Sequence, residues 1–184
     1  MVELAVSLAV LLILTAIAIP SLMRSFRTYQ LNDAASRLAD MLKFTRFEAV
    51  RKNTQVSFLM QASGTGWIVG VDSNNNANVD LSEKQEVIAG FATLLPSGVV
   101  PSSTTISTAI GGAALTTLSG NPGSVTFDAR GAIRVAGNVS SSVCVFYIGS
   151  TIDPEFGFRA VILLPSGSTQ IWTAPNGGSW QKIG

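Results

Sequence analysis

Histidine is missing from this 184-residue chain, and cysteine occurs once, as Cys144. The first absence removes the commonest general base and the commonest transition-metal ligand. The second rules out an intramolecular disulfide. Cys144 sits among Val143, Val145 and Phe146 and reads as a buried strand thiol rather than a reactive one. Charge is also scarce: 12 Lys and Arg against 11 Asp and Glu, 12% of the chain, for a net charge of +1. So balanced a chain has no general electrostatic reason to seek nucleic acid or an anionic membrane surface. No phosphate-cradling loop and no Gly-x-Ser-x-Gly elbow is present. Asp128, Asp153 and Glu155 each stand beside turn residues and read as solvated loop charges. These absences point to a structural protein rather than an enzyme.

What is abundant is apolar sequence, 47% of the chain, concentrated at the start. Residues 4–19 read LAVSLAVLLILTAIAI, broken only by Ser7 and Thr15. With Met1 and Val2 the run makes roughly 27 Å of helix, close to the thickness of a hydrocarbon core. A secretory signal peptide fits poorly, because the only early charge is the acidic Glu3 and the run ends in Ile-Pro-Ser-Leu without a small-residue cleavage site. A carboxylate at the edge of such a helix calls for a partner, since moving it toward the bilayer centre costs on the order of 3 kcal/mol. Pro20 lacks an N–H and clashes with the preceding turn, so the helix is expected to kink or unwind over residues 15–20.

Met1-Val2-Glu3-Leu4, the apolar run and Ala18-Ile19-Pro20 together resemble the N-terminus of type IV pilins and pseudopilins. The resemblance implies that a prepilin peptidase cuts just before the apolar segment and that the new N-terminal residue is methylated. It assigns Glu3 the attraction of a neighbouring subunit's N-terminal amine during assembly, and Pro20 the family's helix-interrupting position. It also implies that about two residues precede Met1 in the mature protein, with Met1 itself inside the mature helix.

From Ser21 the pattern changes to a helical period that continues to about Lys52. Leu22, Phe26, Tyr29, Leu38, Leu42 and Val50, with Ala34, Ala35, Met41 and Phe47, form the expected packing stripe, and Asn53 the expected stop. Seven of the twelve basic residues lie between Arg24 and Lys52, but no basic cluster elsewhere extends them into a track for DNA.

Beyond the helix come short apolar runs separated by Gly, Pro, Ser and Asn, the signature of an antiparallel β domain. Strands are predicted at residues 55–60, 67–72, 85–91, 125–127, 132–135, 142–148, 159–164 and 169–173. Turns are predicted at Ser63-Gly64, Asn121-Pro122-Gly123 and Pro165-Ser166-Gly167, and residues 101–120 read as a long loop or irregular strand. The fold class is α+β: a long N-terminal helix, apolar and then amphipathic, packed on an antiparallel β-sheet head. Residues 1–20 are the membrane or filament-core helix, 21–53 the amphipathic helix and 54–184 the head.

Four stretches narrow the resemblance. The helix end from Phe44 to Asn53, the Gly66-Trp67 strand leading into Val71-Asp72, Val125-Thr126-Phe127-Asp128-Ala129-Arg130-Gly131, and Leu164-Pro165-Ser166-Gly167 are similar to H-type pseudopilins of type II secretion and FimT-like minor pilins. DNA-binding members of that group use a basic C-terminal tail, whereas residues 171–184 here hold one Lys and two Trp, which argues against DNA as a partner.

Asp72, Asn74, Asn76, Asn78, Asp80 and Glu83 stand at positions 1, 3, 5, 7, 9 and 12 of an EF-hand-like loop, a spacing suited to calcium. Ala77 replaces the glycine of the sharp turn, and a polar hairpin accounts for the same residues. Asn138-Val139-Ser140 is a formal glycosylation sequon.

The resulting expectation is a self-assembling subunit. It waits in the inner membrane, meets an assembly platform, and then polymerises with copies of itself and other pilins into a periplasmic or extracellular filament. A filament-forming pilin is the first reading. An H-type minor pseudopilin of a secretion pseudopilus or pilus tip is the second, and an adhesive or DNA-binding minor pilin the third.

Overall fold

The structure is a computed structural model describing residues 2–118, 123–135, 138–139 and 142–183. A single helix, α1 (Val2–Lys52), runs through Pro20 without interruption. The unwinding expected over residues 15–20 is therefore not seen in the isolated subunit. Pro20 removes one helical hydrogen bond, and on a segment with no neighbours nothing pulls the freed turn apart. The stop at Asn53 appears as expected: Asn53 adopts φ +50°, its N–H reaches the Val50 carbonyl at 3.2 Å, and the Thr54 N–H reaches the Ala49 carbonyl at 3.2 Å. These two bonds form a Schellman cap, with Asn in the left-handed position that glycine more often fills.

The head is built on two sheets. In chain order the strands are β1 (Val56–Ser63), β2 (Gly66–Asp72), β3 (Gln85–Ile88), β4 (Thr93–Leu95), β5 (Leu115–Thr117), β6 (Gly123–Phe127), β7 (Ile133–Val135), β8 (Asn138–Val139), β9 (Val143–Gly149), β10 (Phe158–Leu163), β11 (Thr169–Ala174) and β12 (Gln181–Lys182), with a short helix α2 (Thr104–Ala109) before β5. One sheet has the order β3-β2-β1-β6-β7-β8, and the other β12-β11-β10-β9-β4. The chain leaves α1 directly into β1, which lies between β2 and β6. Gly64, at φ +58°, opens the two-residue β1–β2 turn, where a positive φ matches the twist of the strands.

All eight predicted strands are present, although the run expected at 85–91 ends at Ile88. The stretch read as a long loop or irregular strand holds α2 and the short β5, and β5 pairs parallel to β9, the one departure from the antiparallel expectation among the described residues. The turn predicted at 121–123 lies largely outside the described residues.

Period-two alternation on the second sheet explains why its central strands β9 and β10 are apolar on both faces, Arg159 excepted. Cys144, Phe146 and Ile148 of β9 face α1 and the first sheet, while Val143, Val145 and Tyr147 face a second core with Ile106, Trp172 and Trp180. The centre of the sheet is thus buried on both faces, which is why β9, and β10 from Ala160 to Leu163, read as continuous hydrophobic runs. Phe58 of β1 meets Phe146 of β9 edge-to-face, ring centres 5.7 Å apart, across the core under α1. The C-terminal segment closes the second core: the Trp180 Nε1–H donates to the Pro101 carbonyl at 3.1 Å.

On α1 the buried face is Leu31, Ala34, Ala35, Leu38, Ala39, Met41, Leu42, Thr45 and Ala49. Leu22, Phe26, Tyr29, Phe47 and Val50, expected in the packing stripe, are exposed. Helical spacing alone does not say where the head ends, and the head reaches only as far down α1 as residues 27–31.

Candidate assembly surface

From Val2 to Phe26 every side chain of α1 is exposed, Leu4 to 72% and Leu12 to 58%. An 18-residue window in this helix has a mean hydropathy of 2.6 and none of it is buried, so the helix is long and apolar enough to cross a membrane. Burying one such Leu, Ile or Val side chain is worth about 1.5–3 kcal/mol, so lipid or other protein must cover this surface. The hydroxyl of Thr15 is satisfied within the helix, donating to the carbonyls of Leu11 and Leu12 at 3.0 and 2.9 Å. Glu3 has no ion-pair partner among the described residues and is open to an outside one. Leu22, Met23, Phe26 and Tyr29 prolong the apolar surface toward the head, and Phe47 and Val50 add a second exposed patch near the other end of α1.

Three of the four stretches similar to H-type pseudopilins meet in space. Arg46, in the helix-end stretch, donates from Nε to the Gly131 carbonyl at 3.1 Å. Gly131 and Gly167 hold φ values of +76° and +78°, and a Cβ on either would run into the Arg46 side chain. The Ile133 N–H reaches the Pro165 carbonyl at 3.4 Å. Two glycine turns from different sheets are thereby fixed on one helix side chain. Asp128 shapes the first turn by accepting the N–H groups of Arg130 and Ala132 at 2.9 and 3.0 Å. Burial works to raise its pKa, but those two bonds and the charges of Arg134 and Arg130 outweigh it and hold the carboxyl below its ordinary value.

A second tie was not legible in the sequence. Arg159 is buried on β10; its Nε donates to Asn32 Oδ1 of α1 at 2.6 Å and its Nη1 to the Phe158 carbonyl at 2.9 Å. No carboxylate among the described residues pairs with it, and burial lowers its pKa. The available signal was only an arginine between Phe158 and Ala160 in an otherwise apolar strand. Arg159 and Arg46 fix the head to α1 at two levels, so the exposed half of the helix projects from the head in a defined direction.

The Asn-rich loop closes on itself. Asp72, itself buried, accepts the N–H groups of Asn76 and Ala77 at 3.1 and 2.9 Å, and the side-chain amides of Asn74 and Asn76 donate to Asp80 Oδ2 at 2.9 and 2.8 Å. Asn78 donates from its N–H to Asn76 Oδ1 at 2.8 Å. Glu83 takes the N–H of Ser73 at 2.7 Å on one oxygen and that of Asp80 at 3.2 Å on the other. Ala77 takes the sixth-position turn at φ +64° without a glycine. Among the described residues no group of three or more His, Cys, Asp or Glu comes together to hold a metal ion. The carboxylates accept the loop's own N–H and amide donors.

Asn138 lies in β8, but its side chain and Ser140 are outside the described residues. Cys144 is buried, and desolvation pushes its pKa up to about 11, as expected of an inert thiol. The C-terminal residues are held in the second sheet as β11 and β12, with Trp172 and Trp180 buried.

Residues 34–167 match the model of the type II transport protein GspH family, well over half of the chain. The chain belongs to the GspH family. The matched span begins on the packed face of α1 and ends at Gly167, so it contains Arg46 and both of its glycine turns. The H-type resemblance read from the sequence is borne out. A GspH-family chain with an apolar N-terminal helix is a pilin- or pseudopilin-type subunit of a type IV pilus-like system, and its family and fold are those of structural proteins. Two solved structures are similar, both of the Pseudomonas aeruginosa (strain PAO1) type IV minor pilin FimU. The P65 crystal form is 19% identical, with a TM-score of 0.48, covering 77% of this chain and 91% of that one. The P21 form is 15% identical, with a TM-score of 0.38, covering 85% and 90%. No curated protein matches the chain at a significant level.

Proposed function

We propose that this subunit is stored in the inner membrane by the first half of α1, processed by a prepilin peptidase, and passed by an assembly platform into a helical filament outside that membrane. There it occurs in few copies among other pilins. The observation that carries the reading is the wholly exposed apolar segment of α1, joined without a break to a half of the same helix that the head covers. One surface then serves lipid first and neighbouring helices later. Glu3 is the only charge between Val2 and Met23. In a bundle of such helices it needs a counter-charge, which a neighbour's N-terminal amine supplies. Membership of the GspH family favours a minor, H-type place over the filament-forming pilin that stood first among the sequence readings. DNA is not proposed as a partner, because the basic residues of α1 have no basic cluster on the head to extend them into a track.

Mass spectrometry of sheared filaments tests this. The chain is expected at a small fraction of the dominant pilin, and a Leu12→Arg variant is expected to be lost from the filaments while its head stays folded. A filament composed mainly of this chain would make it the principal subunit, and full incorporation of Leu12→Arg would remove the assembly role of the apolar segment.

A further inference from the structure

Two apolar side chains of the head stand out in solvent, Leu81 at 95% exposure and Ile152 at 85%, and they lie at opposite ends of the head. Leu81 belongs to the Asn-rich loop. That loop is tied to the strand side of the helix cap by the Asn75 amide, which donates to the Gln55 carbonyl at 3.2 Å. Ile152 belongs to the corner between β9 and β10. Glu155 and Phe156 of this corner line one cavity with Arg24 and Thr28 of α1. The corner therefore lies beside the head-proximal end of the exposed apolar segment, together with Phe91, whose ring is 4.4 Å from the Arg27 guanidinium.

The charge pattern of α1 sets the level of this corner. Between Glu3 and Arg24 lie 20 residues without a charge, residues 4–23. At 1.5 Å per residue they span roughly 30 Å, the thickness of a hydrocarbon core. Arg24 then marks the hydrocarbon boundary and Thr28 lies about 6 Å beyond it, within a headgroup layer about 5–7 Å deep. Lys52, at the Leu81 end, is about 42 Å beyond Arg24 along the helix. Phe26 and Tyr29 are exposed at the same level as the corner and suit an interface, where aromatic side chains collect.

We infer that the corner of residues 150–157, led by Ile152, seats in the headgroup layer of a zwitterionic phospholipid bilayer while the subunit is stored. The corner has a fixed shape. The buried Ser150 hydroxyl accepts the N–H groups of Ile152 and Asp153 at 3.3 and 3.1 Å, and Gly157 closes the Pro154–Phe156 turn at φ +78°. The charges at the corner's outer surface are two cations, Arg24 beside Glu155 and Arg27 over the Phe91 ring that packs on Phe156, and two carboxylates, Asp153 and Glu155, with Arg159 buried behind them. That balance matches a headgroup carrying both a phosphate and an amine, and it gives no preference for an anionic surface. The inference rests on membrane storage through α1, and adds that the head is held down at one corner and not free to swing about the helix.

The test uses the full chain in phosphatidylcholine vesicles, with Ile152→Cys or Leu81→Cys carrying an environment-sensitive fluorophore. The buried Cys144 is expected to stay unlabelled. Co-flotation with the vesicles is read first, and its absence overturns both storage and this inference. With flotation, the probe at position 152 should be quenched by headgroup-attached spin-labelled lipid and shielded severalfold from aqueous iodide, relative to the probe at 81. Equal behaviour of the two probes overturns the inference and leaves storage intact. As a label-free check, the amides of Thr151, Asp153 and Glu155 in the unmodified chain should exchange severalfold more slowly in vesicles than those of Ile152→Asp. Identical exchange rates overturn it as well.

Discussion

The two halves of α1 belong to one unbroken helix and live in different surroundings. In residues 2–26 large apolar side chains project in every direction and none is covered. In residues 31–49 the covered positions recur every three or four residues, four of the nine are alanines, and charged side chains occupy much of the remainder. The alanines let the helix lie close to both sheets, while the opposite side stays wet. A helix apolar all round is completed by something outside its own chain, and one apolar on a stripe is completed by its own fold. Here both rules act within one element, so the same secondary structure stabilises the head at one end and joins it to lipid or to other subunits at the other.

Substitutions should separate the halves most sharply. Leu38→Ala, at a fully buried position, is expected to cost about 2–5 kcal/mol of head stability. Leu12→Ala should leave the denaturation midpoint of the same detergent-solubilised chain unchanged. A comparable loss at both sites would mean that the exposed half packs on the head after all. The Arg46 cluster offers a finer contrast. Gly167→Ala puts a Cβ against the Gly131 carbonyl and Arg46 at a positive φ, and should cost about 1–3 kcal/mol. Gly64→Ala, also at positive φ but with open space around it, should cost about 1 kcal/mol. Equal costs would show that the cluster does not brace the turns. The smallest effect concerns the Asn-rich loop beyond the packed half. Its carboxylates are filled by its own N–H and amide donors, so a calcium chelator should leave the melting temperature of the chain unchanged. A rise with millimolar calcium would instead mean that the amides of Asn74 and Asn76 turn over to present their carbonyl oxygens.

The helix and its stop at Asn53 were legible because they depend on local chemistry: an apolar run, a helical period and a residue that tolerates positive φ. The strands were legible for the same reason, from alternation and turn residues. The point where packing begins was not, because Leu22, Phe26 and Tyr29 have the spacing of a packing stripe and only the reach of the head leaves them uncovered. The helix and strand within residues 101–118 were hidden by small polar residues, whose order comes from contact with the second core through Ile106. The stretches similar to H-type pseudopilins marked the right residues, but only the fold brings Gly131 and Gly167 to one arginine. Arg159 and Asn32 lie 127 positions apart and carried no local signal of their contact.

The direct passage from α1 into β1 has a mechanical consequence. When the helices of a filament are pulled along its axis, the load on this subunit leaves the Asn53 turn along a strand flanked by β2 and β6. Its hydrogen bonds to both neighbours then resist together in shear, whereas a strand at a sheet edge would peel away one bond at a time. The head is thus joined to its helix through a strand held on both sides.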